Sequence, residues 1–347
     1  MKLLTLQFLR GVAAIVVVAY HVHGLITKRA SEIGAEHGFW LVENQFVKIG
    51  AIGVDVFFIL SGFIIFYTSR HSSDLWLYVK KRVVRIYPIW FVAIFFMSVI
   101  TILPGTSAVF EWKHVLYSSL LMPHYTDGSL TPFLKVGWTL NYEILFYSLF
   151  GICFILTKNK RLELITSIIV CLWIFSDAID SNLALFALLQ NPILFEFVIG
   201  GWLARFYLAG FTITKIQMYI LLLIALIWLS LFFYSTWLWH YTSLISRAPI
   251  AISIFIIAVF YCPIRDCKVP NLFIYLGDAS YSIYLFHMFP IMVLSGVFKK
   301  IPIVEFLNIP TVIVWGVITF ISILFGCIVY SLVERNLNLY MKRFVTK

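Results

Sequence analysis

Histidine and carboxylate side chains stand inside long apolar stretches of this 347-residue chain. His21, Asp55 and Glu143 belong to three different stretches, and helical rise places each of them about 10 to 12 Å from one end of its stretch. A carboxylate beside an imidazole fixes the tautomer of the ring and stabilises the imidazolium that forms during proton transfer. The three residues therefore predict a general base, His21, which is oriented by Asp55 or Glu143.

A second group of side chains is cationic. Lys81, Arg82 and Arg85 lie in the segment VKKRVVRIYP, where another apolar stretch begins. Arginines three positions apart share a helix face, and guanidinium groups bind phosphate through two parallel hydrogen bonds. Arg10 precedes His21 by eleven positions, which is about 16 Å along one helix face. The group predicts a phosphate site for a cytoplasmic donor, although such clusters are also typical of contacts with anionic lipid.

The composition shows what kind of scaffold must carry these residues. Residues of the types AVILMFWYC make up 62% of the chain and charged residues only 12%, with a mean hydropathy of +0.96. A soluble chain has about 25% charged residues, so these are too few to cover a globule of this size. The composition excludes a soluble enzyme, a disordered scaffold and a nucleic-acid binder. It predicts an all-α, polytopic membrane bundle that forms a single domain over residues 1–347.

The apolar stretches predict about ten transmembrane helices, because a bilayer core takes about 20 helical residues. The predicted spans are 5–26, 49–68, 87–105, 137–156, 162–178, 186–207, 216–234, 248–262, 273–297 and 311–333. Of the 26 lysines and arginines, 18 fall in one set of alternate segments and 8 in the other. Since cytoplasmic segments are enriched in these residues, both termini are predicted to be cytoplasmic.

Other ionisable residues in the spans, Glu196, Asp278 and His287, are expected to have packing or cavity roles. The five cysteines are scattered and lie mostly in apolar stretches, so we expect neither a disulfide framework nor a metal site.

Several blocks occur in an order that resembles the membrane acyltransferase-3 family, in its form without an additional soluble domain. The first is the Arg10 and His21 pairing in LQFLRGVAAIVVVAYHVH, and the last are GDASYSIYLFH and the terminal ERN at Glu334. Between them lie GVDVFFILSGF, RVVRIYP and WTLNYEILFY, the last of which contains Trp138, Leu140 and Glu143. One departure is Asn336, where many members of the family have proline.

The resemblance implies an enzyme of the bacterial cytoplasmic (inner) membrane that O-acylates a surface polysaccharide. It implies His21 as the catalytic base, Arg10 near the acyl donor, and Arg82 and Arg85 in contact with acyl-CoA. We expect acetyl-CoA as co-substrate, a glycan as acceptor and membrane lipids as surroundings, with no metal and no nucleic acid. Arg10, Trp138 and Asn141 are candidates to stabilise the oxyanion.

Alternatives remain open at this point. The acyl group is acetyl by expectation, but succinyl or another short acyl group fits the same scaffold, and transfer is either direct or through an acyl group held on His21. A secondary transporter or flippase of lipid-linked glycan also uses intramembrane carboxylates and histidines. A membrane O-acyltransferase of another fold and a purely structural role are further alternatives. Turnover of acyl-CoA separates the enzymes from the rest.

Overall fold

A computed structural model describes residues 4–32, 49–70, 72, 74–102, 110–178, 183–234, 242–300 and 311–345. These residues form helices and connecting segments. Within them the β-structure consists of an isolated bridge between Thr126 and Ser129. The predicted all-α class is confirmed for this part of the chain. Helices suit an apolar environment because each satisfies its own backbone hydrogen-bonding groups.

The longer helices follow one another along the whole chain. They are α1 (Leu4–Glu32), α2 (Ile52–Ser69), α3 (Leu75–Ile102), α4 (Trp112–Ser119), α5 (Trp138–Leu156), α6 (Arg161–Ala178), α7 (Ala184–Gln190), α8 (Leu194–Leu208), α9 (Lys215–Tyr234), α10 (Ala248–Phe260), α11 (Asn271–Phe286), α12 (Met288–Lys300), α13 (Thr311–Val329) and α14 (Arg335–Val345). Single turns at Ser243–Ser246 and Cys262–Arg265, a 3-10 turn at Lys135–Gly137 and a π-helical turn at Tyr330–Glu334 complete the order.

Six stretches of the described chain are long and apolar enough to cross a membrane. They are Leu4–Lys28, Ile49–Ser69, Leu75–Ile102, Lys135–Leu156, Lys215–Tyr234 and Val312–Phe344. The pair α7 and α8 passes the same test together but is bent by 52°, which gives up to seven, and α10 is a shorter apolar helix. The protein is therefore a multi-pass membrane protein, and the count of ten spans stays a prediction.

The helices form two compact units, which are described separately. The first contains residues 1–57, 213–239 and 247–332, and its core is formed by α1, α11 and α13. Ala14, Val18 and Val22 of α1 are buried against Ala279 and Ile283 of α11. Their spacing of three or four positions places each set on one face of its helix.

Close approach of the backbones holds α1 and α11 together. A Cβ atom on Gly277 would lie 2.1 Å from the carbonyl oxygen of Gln7, so only glycine fits there. Further along α1, the indole of Trp315 in α13 donates a hydrogen bond to the carbonyl of Ala19 over 3.0 Å. These contacts fix the helix that carries His21 against the helix that leads to His287.

The predicted ninth span, 273–297, is two helices in the structure. α11 ends at Phe286 and α12 begins at Met288, so His287 lies at the junction. Pro290 explains the break, because proline has no N–H to donate to the carbonyl of Phe286 and its ring crowds that carbonyl. The sequence thus places a histidine where the helix must be interrupted.

The second unit contains residues 58–212, 240–246 and 333–347. Its core includes stacked aromatic rings, with the ring centroid of Phe197 4.8 Å from that of Phe58 and 4.7 Å from that of Phe146. Backbones meet here too, since a Cβ atom on Gly62 would lie 1.9 Å from the carbonyl oxygen of Phe197. The tight packing of α2 against α8 positions Ser61, whose side chain is part of the candidate site.

Candidate active site

His21 lies against a second imidazole, that of His287. Nδ1 of His21 is 3.1 Å from Nε2 of His287 and 3.0 Å from the carbonyl oxygen of Val17. The His287 ring is fully buried, and its Nδ1 is 2.7 Å from the carbonyl oxygen of Tyr284. The His21 ring is half-buried, so the proposed base stands at the edge of the packed core of the first unit.

Asp55 forms an ion pair that was not predicted. Its carboxylate is fully buried, and its two oxygens accept hydrogen bonds from Nε and Nη2 of Arg247 over 3.0 and 3.4 Å. Arg247 precedes α10 and retains 25% of its side-chain exposure. A buried carboxylate is stable when a guanidinium compensates its charge in this two-fold manner.

Glu143 belongs to a hydrogen-bonded triangle in the second unit. Its Oε1 accepts hydrogen bonds from the hydroxyl of Ser61 over 2.8 Å and from that of Tyr147 over 2.7 Å. The two hydroxyls lie 2.9 Å apart. Tyr147 follows Glu143 by one helical turn, so α5 presents both groups on one face, and α2 supplies Ser61. The triangle fixes the orientation of the Glu143 carboxylate.

Arg82 lines a groove between α3 and α5. Its guanidinium carbon lies 5.7 Å from the ring centroid of Tyr78 and 5.6 Å from that of Tyr147. Its Nε is buried and has no hydrogen-bond partner among the described residues. The groove has a volume of about 350 Å³, and its other walls are mostly aliphatic, including Val83 and Ile152. A cation in such surroundings favours an anionic ligand, because leaving it uncompensated is costly.

The remaining predicted residues lie at varied positions. Lys81 and Arg85 are exposed residues of α3. Nη1 of Arg10 is 3.5 Å from Oε1 of Gln7, in the first unit. Trp138 packs edge-on against Phe58, with the ring centroids 6.2 Å apart. Asn141 is buried, and its Oδ1 accepts no hydrogen bond from the described residues.

A connecting segment, residues 110–134, packs beside the middle of α3. The indole of Trp90 donates to the carbonyl of Ser118 over 3.0 Å. Within the segment, Nδ1 of His114 is 2.7 Å from Nε2 of His124 and 2.9 Å from the hydroxyl of Thr126. Partial burial, and then the nearby His124, hold the pKa of His114 below its usual value.

Comparison with known proteins shows the family to which the chain belongs. A family model described as "Acyltransferase domain" matches residues 3–331, which is nearly the whole chain. The chain belongs to this acyltransferase family. The enzyme is 31% identical over 306 residues to the exopolysaccharide production protein ExoZ of Rhizobium meliloti (strain 1021), covering 83% of this chain and 90% of that protein.

A second relative matches a smaller part of the acyltransferase. This relative is the acyltransferase MdmB of Streptomyces mycarofaciens, to which the chain is 27% identical over 170 residues, covering 46% of this chain and 41% of that protein. No solved structure is significantly similar to the chain. The predicted membership of the acyltransferase-3 family is confirmed.

Sequence reasoning missed two residues of the acyltransferase, His287 and Arg247. His287 was expected to have a packing or cavity role, although a histidine three positions before a proline in an apolar span is a signal of an interrupted helix. Arg247 is one of the 8 lysines and arginines in the smaller set of alternate segments, and its position just before an apolar stretch was the available signal. In the described part of the chain, no group of three or more His, Cys, Asp or Glu side chains could hold a metal ion.

Proposed function

We propose that the protein transfers an acetyl group from cytoplasmic acetyl-CoA to a sugar hydroxyl of a cell-surface or lipid-linked glycan, in the bacterial cytoplasmic membrane. Family membership supports acyl transfer, and the name of the exopolysaccharide production relative supports a glycan acceptor. The observation that carries the choice of donor is Arg82, a half-buried residue that lines a groove and whose buried Nε has no hydrogen-bond partner among the described residues. In this proposal the chain forms ten spans with both termini cytoplasmic.

The donor site uses the cations of α3. The phosphates of acetyl-CoA are negatively charged oxygen acceptors, which suits the two N–H edges of a guanidinium. Lys81 and Arg85 are exposed beside Arg82, so they add charge at the cytoplasmic mouth of the site. Arg10 of α1 contacts the donor further along its length.

The chemical step uses His21 as a general base. The imidazole removes the proton of the sugar hydroxyl while the alkoxide oxygen forms a bond to the thioester carbonyl carbon. The C–S bond then breaks, and the CoA thiolate receives the proton from His21. In a two-step version the acetyl group first moves to His21 and then to the sugar.

Other predicted residues assist the reaction. Arg10, the indole N–H of Trp138 or the amide of Asn141 stabilises the oxyanion of the tetrahedral intermediate. Glu143 is held by Ser61 and Tyr147, and its negative charge favours the imidazolium of His21. Arg247 compensates the charge of Asp55, so Asp55 is the weaker candidate for this role. Membrane lipids surround the bundle, and the reaction needs neither a metal nor a nucleic acid.

The experiment is acyl transfer by the purified full chain in lipid nanodiscs. Acetyl-CoA labelled in the acetyl group is mixed with glycan from a strain that lacks the gene, and label in the glycan is measured. We expect transfer by the wild type and loss of transfer by His21→Ala. Succinyl-CoA in a parallel reaction defines the acyl group. Near wild-type transfer by His21→Ala would contradict the role of His21, and no transfer from any acyl-CoA would contradict the function.

A second candidate function, a flippase or transporter of lipid-linked glycan, is favoured by one observation. α7 and α8 form a bent pair, and broken helices are typical of transporter binding sites. Near this bend, Glu196 is fully buried and its Oε1 accepts a hydrogen bond from Ser243 over 2.9 Å. Movement of fluorescent lipid-linked glycan across proteoliposomes without acyl-CoA would support this function instead.

A further inference from the structure

The orientation of the proposed base depends on which of its nitrogens carries a proton. A neutral imidazole has one N–H and one basic nitrogen, and the partner of the N–H decides which nitrogen is free to accept a proton. This inference rests on the role of His21 in the proposed function. The contacts around His21 and His287 are sufficient to assign both tautomers.

The contacts of His287 show which of its own nitrogens carries the proton. Its Nδ1 lies 2.7 Å from the carbonyl oxygen of Tyr284 and 3.2 Å from that of Ile283. Carbonyl oxygens only accept hydrogen bonds, so Nδ1 of His287 must be the protonated nitrogen. In the neutral ring, Nε2 of His287 is then an acceptor.

The same reasoning applies to His21. Its Nδ1 faces two acceptors, Nε2 of His287 at 3.1 Å and the carbonyl oxygen of Val17 at 3.0 Å. Nδ1 of His21 therefore carries the proton, and its Nε2 has the lone pair. A general base needs this arrangement, in which one nitrogen is held as a donor and the other is available to the substrate.

We propose that His287 is a positioning residue that holds His21 in the tautomer with a basic Nε2. The sugar hydroxyl gives its proton to Nε2 of His21, while Nδ1 keeps its proton and donates to His287 throughout. The same proton then leaves from Nε2 to the CoA thiolate, so both rings return to their starting states. His287 touches neither substrate and acts only through His21.

The surroundings of His287 suit this role. The ring is fully buried at the junction of α11 and α12, and its Nδ1 lies against the carbonyl oxygens of the last turn of α11. The close contact of Gly277 with Gln7 holds α11 on α1, the helix that carries His21. Nε2 of His287, the acceptor, is thus held in place by the packing of α11 on α1.

The kinetic test compares two replacements of His287 in the full chain. His287→Leu leaves the carbonyl of Val17 as the remaining acceptor for Nδ1 of His21, and we expect kcat for acyl transfer to fall roughly 10- to 100-fold with the KM for acyl-CoA unchanged. In His287→Gln the amide oxygen takes the place of Nε2 as an acceptor, so we expect at least half of the lost rate to return on a logarithmic scale. In a His21→Ala background, His287→Leu should have no further effect.

Phe286→Leu is the matched control, because this neighbouring side chain is also fully buried but has no polar group. We expect it to lower thermal stability as much as His287→Leu does while kcat changes less than threefold. Equal losses of kcat in the Leu, Gln and control variants would overturn the inference, because packing alone would then explain them. A wild-type kcat in His287→Leu would overturn it as well.

A spectroscopic test separates this inference from the proposed function. In protein labelled with 15N-histidine, the His21 signals are assigned by their loss in His21→Ala, and we expect a protonated Nδ1 and an unprotonated Nε2. His287→Leu should move the signals toward a mixture of tautomers. A protonated Nε2 in the wild type would overturn the inference even in an active enzyme. Failure of the wild type to transfer any acyl group would instead contradict the proposed function.

Discussion

His21 and Arg82 stand in two regions that satisfy their polar groups in opposite ways. The Nδ1 of His21 faces two acceptors within a packed core of α1, α11 and α13. Arg82 lies between two tyrosine rings, lines an open groove, and has a buried Nε without a partner in the described residues. Nδ1 of His21 thus has hydrogen-bond partners within the protein, whereas the buried Nε of Arg82 has none among the described residues.

The difference shows how binding and reaction can be divided within one protein. A base must be rigid, because a proton is transferred only when the ring has the correct tautomer and orientation. A donor site must be accessible, because a large substrate has to enter and leave. We therefore expect changes near His21 to affect kcat and changes near Arg82 to affect the KM for acyl-CoA.

The largest effect should come from His21→Ala. Removing a positioned base typically lowers the rate by about 10²- to 10⁴-fold, so we expect a fall of that size in kcat. The affinity for CoA should change less than threefold, because the proposed phosphate contacts are made by other residues. Initial rates of acyl transfer measure kcat, and equilibrium binding of CoA measures the affinity. A loss of CoA affinity as large as the loss of rate would break the comparison.

Arg82→Gln should have the complementary effect. Hydrogen bonds to charged groups contribute about 1.5 to 3 kcal/mol, which corresponds to a rise of roughly 10- to 100-fold in the KM for acyl-CoA. We expect kcat at saturating donor to stay within about threefold of the wild type. Lys215→Gln is the control, since Lys215 is exposed on α9 in the first unit, whereas α3 belongs to the second, and it should leave both constants unchanged. An unchanged KM in Arg82→Gln would remove Arg82 from the donor site.

Gly277→Ala tests the rigidity of the base region. A Cβ atom would lie 2.1 Å from the carbonyl oxygen of Gln7, so α1 and α11 must move apart at a cost of about 1 to 3 kcal/mol in the free energy of unfolding. Thermal unfolding should show the loss, and kcat should fall with it. Gly316→Ala in α13 is the control, because nothing lies within 4 Å of its Cβ position. Equal stability of the two variants would contradict the packing described for α1 and α11.

The smallest effect concerns the segment 110–134, which packs beside α3. Since the pKa of His114 is lower in the folded protein than in the unfolded chain, the unfolded chain binds more protons below the ordinary value of about 6.5. Acidification from pH 7.5 to 5.5 should therefore loosen this segment. The protection factors of residues 112–120 against hydrogen exchange, which are corrected for the intrinsic pH dependence of exchange, should decrease, and the decrease should be smaller in His114→Phe. If protection of these residues had the same pH dependence in the wild type and in His114→Phe, His114 would not be the group responsible.

The sequence predicts the class of the protein and many of the polar residues at its candidate site. Long apolar stretches predict membrane helices directly, and charged residues inside them stand out because their burial is costly. His21, Arg82 and Glu143 are recognisable on these grounds. Their role in the reaction remains a prediction, and the described contacts add what surrounds each one.

Partners that are distant along the chain are harder to predict. His287 follows His21 by 266 positions, and Arg247 follows Asp55 by 192. Helical periodicity relates residues only within one helix, so it gives no information about which helices touch. The contacts of glycine with backbone, such as Gly277 with Gln7, decide that arrangement. The sequence predicts a carboxylate beside His21 from the depth of the residues in their spans. In the structure, His287 lies against Nδ1 of His21.

The most direct measurement is calorimetric titration of CoA into purified wild-type protein, His21→Ala and Arg82→Gln. The account predicts similar affinities for the wild type and His21→Ala, and binding weakened roughly 10- to 100-fold in Arg82→Gln. Weak binding to His21→Ala together with undiminished binding to Arg82→Gln would contradict the division between a reacting region and a donor-binding region.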